Sequence, residues 1–429
     1  MKKNALFLLF VGFVAGLFSI TFTHCKNDGI YNPKDTVEYT VRSDSLSELI
    51  GRAEGFNMYE YIQNAETHDS VFDRKEFIKG LKYPLSHRYD MAYINGIQVG
   101  ITMAMELKNM VDSGLKINRK ALVKEVKENL NPDSDSLFIK RQEYIYDFQQ
   151  LYNDAINNHY KVSKAGLDSL QHAYAKALGY FIAGDIASFN DEEGASYDQD
   201  MFMKSFEHFM GKNLSESYMH GAFVGAQTVQ KIVRTEMNLG INIRRETVLK
   251  EMLNVLKEKE FNSEEASQAD DRLDSILNVL NREKYETEDA ELAASAEGIQ
   301  NIKTAEAFIA NLKKENPEVK TTESGLVYLI TKPGEGESIT DGDQLIINYK
   351  GTHLDGTVFD EGEDVPMATD GVIPGFREGL MLLQKGSKAT LWIPGNLAYR
   401  GHGQPYGGIG PMEMLVFEIE VKDVMPARH

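Results

Sequence analysis

Residues 348–360 read NYKGTHLDGTVFD, and how this stretch turns decides the fold of the last quarter of the chain. His353-Leu354-Asp355-Gly356 is a turn signal, because Asp bonds backbone just ahead of it and Gly tolerates positive φ. β-Formers stand on both sides. Asp360 therefore follows Val358-Phe359 on a β-like segment, and its residues alone leave it as a helix cap, a metal ligand or a polar tooth in an apolar cleft.

The pattern continues outward. LVYLI (326–330), DQLIINYKG (343–351), ATLWIP (389–394) and EMLVFEIEVKDV (413–424) alternate apolar and polar residues, as half-buried strands do. They are separated by PGEGE, HLDG, QKGSK and a Gly-rich loop at 401–411. A single helix signal, IPGFREGLMLL (373–383), carries Pro374 and Gly375 at its start. The segment is expected to be a twisted antiparallel sheet wrapped on one short helix, with apolar residues on the concave face.

Upstream the chain changes character. No proline falls between Pro132 and Pro317, whereas eight of the 11 prolines and 17 of the 35 glycines lie from Pro317 onward. The proline-free part has apolar residues three and four apart and reads as helix, which places a boundary near residue 317. It also repeats. AYINGIQVGITMAMEL (92–107) leads to SGLKINRKALVKEVKENL (113–130), and YMHGAFVGAQTVQKIV (218–233) leads to LGINIRRETVLKEMLNVL (239–256). A more degenerate copy is YAKALGYFIAGDIASF (174–189) with DQDMFMKSFEHFM (198–210). Gly96 and Gly100, like Gly221 and Gly225, stand four apart on one helical face and admit a second helix closely.

The expected organisation is a signal peptide over 1–25, a polar tether over 26–45, and helical repeats over 46–262 with units near 86–130, 172–210 and 218–258. A long connecting helix or linker over 263–317 and a C-terminal domain over 318–429 follow. The fold class is α+β, with an all-helical arm and then the sheet domain.

Composition excludes several functions. A net charge of -19 and a pI near 5.1 oppose a nucleic-acid surface, which needs clustered Lys and Arg. One cysteine rules out an internal disulfide framework. There is no close histidine cluster, no Gly-x-Ser-x-Gly and no P-loop, so neither a metal nor a cofactor is expected. MKK followed by ALFLLFVGFVAGLFSI has the basic and apolar regions of a secretory signal, so export is expected. Cys25 follows in TFTHC, which is similar to a bacterial lipoprotein signal, with Phe22 where Leu is usual and His24 where a small residue is usual. Lipidation at Cys25, a cysteine left in a spent signal and an uncleaved anchor all remain open.

GLVYLI, DGDQLIINYKGTHLDGTVFD, GVIPGFREGLMLLQKGSKATLWIPGNLAYR and LVFEIEVKDV together resemble the FKBP-type peptidyl-prolyl cis-trans isomerases over about residues 318–427. The arm resembles the helical N-terminal domain of the exported members related to macrophage infectivity potentiator, which dimerise through interlocked helices. This chain carries two or three copies of that unit, so a homodimer through the arm and pairing of copies within one chain both stay open. The resemblance implies rotation about X-Pro bonds in proline-containing unfolded or nascent exported proteins, in the periplasm or at the outer membrane, tethered by a lipid on Cys25 or by an N-terminal anchor. It implies catalytic Asp360, Tyr399 and Phe359, with Tyr349, Val372, Ile373, Phe376, Ile409 and Phe417 binding the substrate. Phe376 stands where the family commonly has Trp, DVPMAT (364–369) stands where relatives place a Phe wall, so that wall is open or supplied by Met367, and Arg400 stands where Gly usually follows Ala-Tyr. Trp392 matches no pocket position and reads as packing. The alternative is a non-catalytic chaperone or scaffold lipoprotein that binds peptides without turning them over.

Overall fold

The structure, a computed structural model, describes residues 37–86, 91–130, 137–193 and 198–425, so the signal-like segment and Cys25 lie outside the described residues. The chain divides after Asn278 into two compact units. Among the described residues there are twelve α-helices and six strands. None of the helices is long and apolar enough to cross a membrane.

The first unit is helical: α1 Val37–His68, α2 Arg74–Leu85, α3 Met91–Asp112, α4 Arg119–Glu128, α5 Leu137–Asn157, α6 Lys164–Glu193, α7 Gln199–Met210, α8 Glu216–Leu239 and α9 Arg245–Val255. The repeat is legible in it: a long helix with small residues four apart, a turn, then a short helix. In two units the turn opens on a glycine with positive φ, Gly114 at 109° and Gly240 at 68°, and buries the next two apolar side chains. α1 and α2 form a fourth unit that the sequence pattern does not announce. Gly51 and Gly55 stand four apart on α1, but the helix alternates polar and apolar residues too irregularly to announce its face.

These units interlock in a nested order. α1 packs on α9 and α2 on α8, so the first unit exchanges helices with the last. Inside that pair, α3 packs on α7 and α4 on α6. The α2–α8 crossing is reciprocal: a Cβ on Gly80 would meet the carbonyl oxygen of Tyr218 at 2.0 Å, and one on Gly221 would meet that of Phe77 at 1.9 Å. The α3–α7 crossing repeats it, since a Cβ on Gly96 would reach the Phe202 carbonyl at 2.2 Å. Lys79-Gly80 becomes Lys204-Ser205 there, and the buried Ser205 hydroxyl donates to the Tyr93 carbonyl at 2.6 Å. Backbone-to-backbone approach of this kind places Phe77, Leu81, Phe202 and Phe206 fully out of water. Each such side chain contributes about 1.5–3 kcal/mol relative to exposure.

The second unit starts at Val279, within α10 (Ser263–Ala293), and continues through α11 (Ala296–Glu315). Its sheet comprises β1 Lys320–Thr321, β2 Val327–Lys332, β3 Gln344–Thr352, β4 Val358–Ala368, β5 Lys388–Ile393 and β6 Leu415–Met425. All pairings are antiparallel, in the order β1-β2-β5-β6-β3-β4. The expected α+β class, a helical arm followed by an antiparallel sheet on a short helix, holds. β4 is less legible in sequence because Asp360, Glu361, Glu363 and Asp364 break its alternation. Pro366 is tolerated on it because β4 is an edge strand. One face of the sheet buries Leu345, Ile347, Leu391 and Ile419 against α12 (Pro374–Met381). On the other face Val327, Trp392 and Met414 pack with Ala305, Phe308 and Leu312 of α11, which is the packing role read for Trp392.

Candidate functional site

The α12 face of the sheet opens into a cleft floored by aromatic rings. Phe417 projects from β6, and Phe376 from the first turn of α12, where Pro374 at the helix start fixes the approach. Their centroids lie 4.9 Å apart at 78°, an edge-to-face pair, and Phe359 of β4 meets Phe417 edge-on at 5.6 Å. Phe376 and Phe417 are almost wholly buried, at 3% and 6% exposure. Tyr349 of β3 closes a third side, edge-on to Phe376 at 6.5 Å. Val372 and Ile373 precede α12, while Tyr399 and Ile409 come from the long β5–β6 connection; all four pack on the same cluster.

The polar rim is simple. Tyr349 Oη donates to Asp360 Oδ2 at 2.9 Å, which fixes a carboxylate exposed to solvent beside the bowl. Burial pushes the Tyr349 phenol up to about 12, helped by that hydrogen bond and by the negative charge of Asp360. Tyr399 is raised by burial and then by the same carboxylate. Both phenols are therefore protonated donors across the physiological range. His353 Nδ1 lies 2.5 Å from Glu413 Oε1, and the other oxygen of Glu413 accepts from the Gly410 N–H at 2.8 Å, tying the β3–β4 turn to the Gly-rich loop.

All nine residues expected at the site thus fall on one cleft, and Cys25 lies outside the described residues. Met367 packs against the cluster beside the wall it was read to supply. Sequence reasoning missed Gly351. It is paired with Asp360 on β4 and with Phe417 on β6, and a Cβ there would stand 2.7 Å from the Phe359 ring and 2.8 Å from the Phe417 ring. The glycine is what lets the two rings meet over the strand, and a glycine amid β-formers in NYKGT was the available signal. Another groove, on the opposite face of the sheet, is lined by Lys388 and Glu420, which pair with each other at 3.3 Å, and by Lys350, Glu361 and Glu418. Charged and polar residues dominate its lining, with Tyr349 and Ile419 also on it.

The bowl can hold a small saturated ring and present donors at its rim. It contains no arrangement of nucleophile with base, and among the described residues no group of three metal-ligating side chains occurs.

Residues 335–422 match the family described as FKBP-type peptidyl-prolyl cis-trans isomerase, and residues 213–330 match the domain amino terminal to FKBP-type peptidyl-prolyl isomerase. The FKBP-type peptidyl-prolyl cis-trans isomerase FkpA of Escherichia coli (strain K12) is 48% identical over 113 residues, 25% of this chain and 41% of that protein. The chain thus spans about two fifths of the length of this relative. FkpA of Aeromonas hydrophila is 34% identical over 223 residues, 51% of this chain and 76% of that protein. The crystal structure of FkpA from Escherichia coli is similar at 32% identity over 51% of this chain and 99% of that one, with a TM-score of 0.29. On the extent of the Aeromonas match, together with the two matched domains, the chain belongs to the FKBP-type peptidyl-prolyl cis-trans isomerase family.

Proposed function

We propose that this protein is an exported peptidyl-prolyl cis-trans isomerase that acts on X-Pro bonds of proline-containing unfolded or nascent proteins. The observation that carries the reading is the aromatic bowl with protonated phenols and a fixed carboxylate at its rim. Rotation about an X-Pro bond faces a barrier of about 18–20 kcal/mol because the amide loses resonance as it twists. Proton transfer is not required. The prolyl ring seats among Phe359, Phe376 and Phe417, water is excluded, and the Tyr399 hydroxyl donates to a carbonyl of the bound chain. Among the described residues that phenol makes no hydrogen bond of its own. Asp360, oriented by Tyr349, sits where the twisting carbonyl turns its dipole. Only a site that favours the twisted amide over both planar forms accelerates the step.

The helical arm is proposed to hold client segments near the bowl, which raises their effective concentration there. The small-residue faces that would carry a homodimer are occupied by other helices of the same chain. That occupancy favours association within one chain over a dimer through the arm, and light scattering on purified protein distinguishes the two. Periplasmic or outer-membrane placement, by a lipid on Cys25 or an N-terminal anchor, follows from the signal-like first residues; an intact mass of membrane-extracted protein tests it.

The decisive experiment is NMR measurement of cis/trans exchange in a short X-Pro peptide with the full chain, the Asp360→Ala variant and the Tyr399→Phe variant. Faster exchange with wild type that falls in both variants is expected. Binding without faster exchange would instead make the domain a peptide-binding chaperone, and Phe376→Trp would then be expected to raise activity strongly.

A further inference from the structure

The loop that carries Tyr399 and Ile409 is gripped at both stems. Its first stem lies on the end of α10. Asp289 Oδ1 accepts from the backbone N–H of Gly401 at 2.8 Å and of His402 at 3.2 Å, while Oδ2 pairs with Arg400 Nη2 at 3.2 Å. The approach is so close that a Cβ on Gly401 would stand 1.9 Å from the Asp289 carbonyl oxygen. The His402 ring stacks on Tyr285 at 4.2 Å. The second stem rests on α11, where Asn301 Nδ2 donates to the Pro411 carbonyl at 2.8 Å. Between the stems Ile409 is turned into the cluster at 4% exposure.

Two locally unfavourable features meet here. The Asp289 side chain is only 5% exposed, and a buried carboxylate is destabilising unless donors and a counter-charge surround it. Arg400 has φ 57°, a left-handed conformation that is strained for a non-glycine residue. The turn of the chain at Arg400 points two consecutive N–H groups and its own guanidinium at Asp289, so each feature compensates the other. Neither belongs to the sheet core. Tyr399 is the residue before Arg400 and its backbone carbonyl accepts from the Gly403 N–H at 3.2 Å, so it moves with this stem.

We propose that Asp289 is a positioning residue for prolyl-peptide binding: it clamps the 400–402 stem to α10 and thereby fixes Tyr399 and Ile409 against the bowl. The proposal rests on the bowl as the prolyl site, and makes the end of α10 and the whole of α11 part of the binding unit.

The test uses the full chain as wild type, Asp289→Ala, Asp289→Asn, Tyr285→Ala and the double variant Asp289→Ala, Arg400→Gly. NMR gives the Kd and exchange rate for an X-Pro peptide and the amide-exchange protection of Gly401 and His402. For Asp289→Ala, Kd is expected to rise about tenfold, and the rate at saturation to fall as well because the Tyr399 donor is displaced with the stem. Protection at Gly401 and His402 is lost while β3 and β6 keep theirs. Asp289→Asn falls between, and Arg400→Gly restores most of the affinity in the double variant by removing the left-handed strain and the unpaired charge. Should Asp289→Ala not fold, Asp289→Asn and Tyr285→Ala carry the same readouts. The clamp is overturned if folded variants lose stability but keep peptide Kd and loop protection within about twofold of wild type. Absence of any exchange acceleration by wild type would refute the isomerase reading instead, with Kd and protection still deciding the clamp.

Discussion

Consider Gly221→Ala, which places one methyl in the reciprocal α2–α8 crossing. The new Cβ would stand 1.9 Å from the Phe77 carbonyl oxygen, 2.8 Å from its carbon and 2.9 Å from Leu81 N. Ordinary contact begins at 3.4 Å, so α8 must retreat by about 1.5 Å, and no rotamer change can absorb this because the atoms struck are backbone. That retreat opens space beside Phe77, Leu81 and Ala222, all at 0% exposure. A gap of half to one ångström already forfeits a quarter to a half of the dispersion attraction across it. Overpacking costs about 1–3 kcal/mol, towards the upper end here, while Ala gains about 1 kcal/mol over Gly as a helix former. The net expectation is destabilisation of the arm by about 2 kcal/mol, opposite in sign to the same change on an open helix face. Gly100→Ala is the graded control: its nearest contact is 3.1 Å, from Phe206 Cα and carbonyl oxygen, so it should be close to neutral. Urea unfolding of the full chain separates the units, since far-UV circular dichroism is dominated by the helices and the one tryptophan, Trp392, reports the sheet. The circular-dichroism transition should fall for Gly221→Ala while the fluorescence transition and peptide turnover stay put. An arm as stable as wild type, or a larger loss from Gly100→Ala, would refute the packing argument.

Two further outcomes are expected. Tyr349→Phe removes the 2.9 Å hydrogen bond that orients Asp360; at about 1 kcal/mol for such a bond, kcat/KM should drop roughly fivefold, and a change under twofold would remove Asp360 orientation from the mechanism. In the arm, burial pushes the Glu106 carboxyl up from 4.5 to about 7, opposed in part by the hydrogen bond that Tyr174 Oη donates to it at 2.9 Å. Because the folded state keeps a proton that the unfolded chain has released, this stability is fully present below about pH 4.5 and is lost as pH rises to about 7. The loss is at most about 3 kcal/mol, since Glu106 retains some solvent contact. Glu106→Gln should flatten that slope and stabilise the arm at pH 8; an unchanged pH profile of denaturation midpoints would contradict it.

Much of the sheet was legible because period-two alternation survives wherever one face is buried, as in LIINY of β3 and LVFEIEV of β6. β4 was harder to see. As an edge strand it carries four carboxylates and a proline, and its place comes from pairing with β3. The bowl was legible through resemblance, since no spacing rule brings Tyr349, Phe376 and Phe417 together. Gly351 and Asp289 escaped for different reasons: the first acts by the side chain it lacks, and the second sits 110 residues before the Tyr399 it steadies, on a helix that reads as a solvated acidic connector. In the arm, three glycine-marked units could be read directly, but which unit would clasp which could not. That choice depends on contacts between helices far apart in the chain.

The nested exchange has a consequence for how the chain is made. The inner clasp joins Ser205 to Tyr93 across 112 residues, whereas the outer one joins Arg244 N–H to Ser47 across 197. Closing the longer loop adds well under 1 kcal/mol of entropy, so the difference is one of timing. When synthesis or export delivers the N-terminus first, α3, α4, α6 and α7 can close as soon as Met210 has arrived, but α1 and α2 must wait, apolar faces uncovered, until Val255 appears. Pulsed hydrogen exchange during refolding should therefore find α3 and α7 protected before α1 and α9. Until then the chain's own opening helices carry the kind of uncovered apolar surface that folding exists to remove.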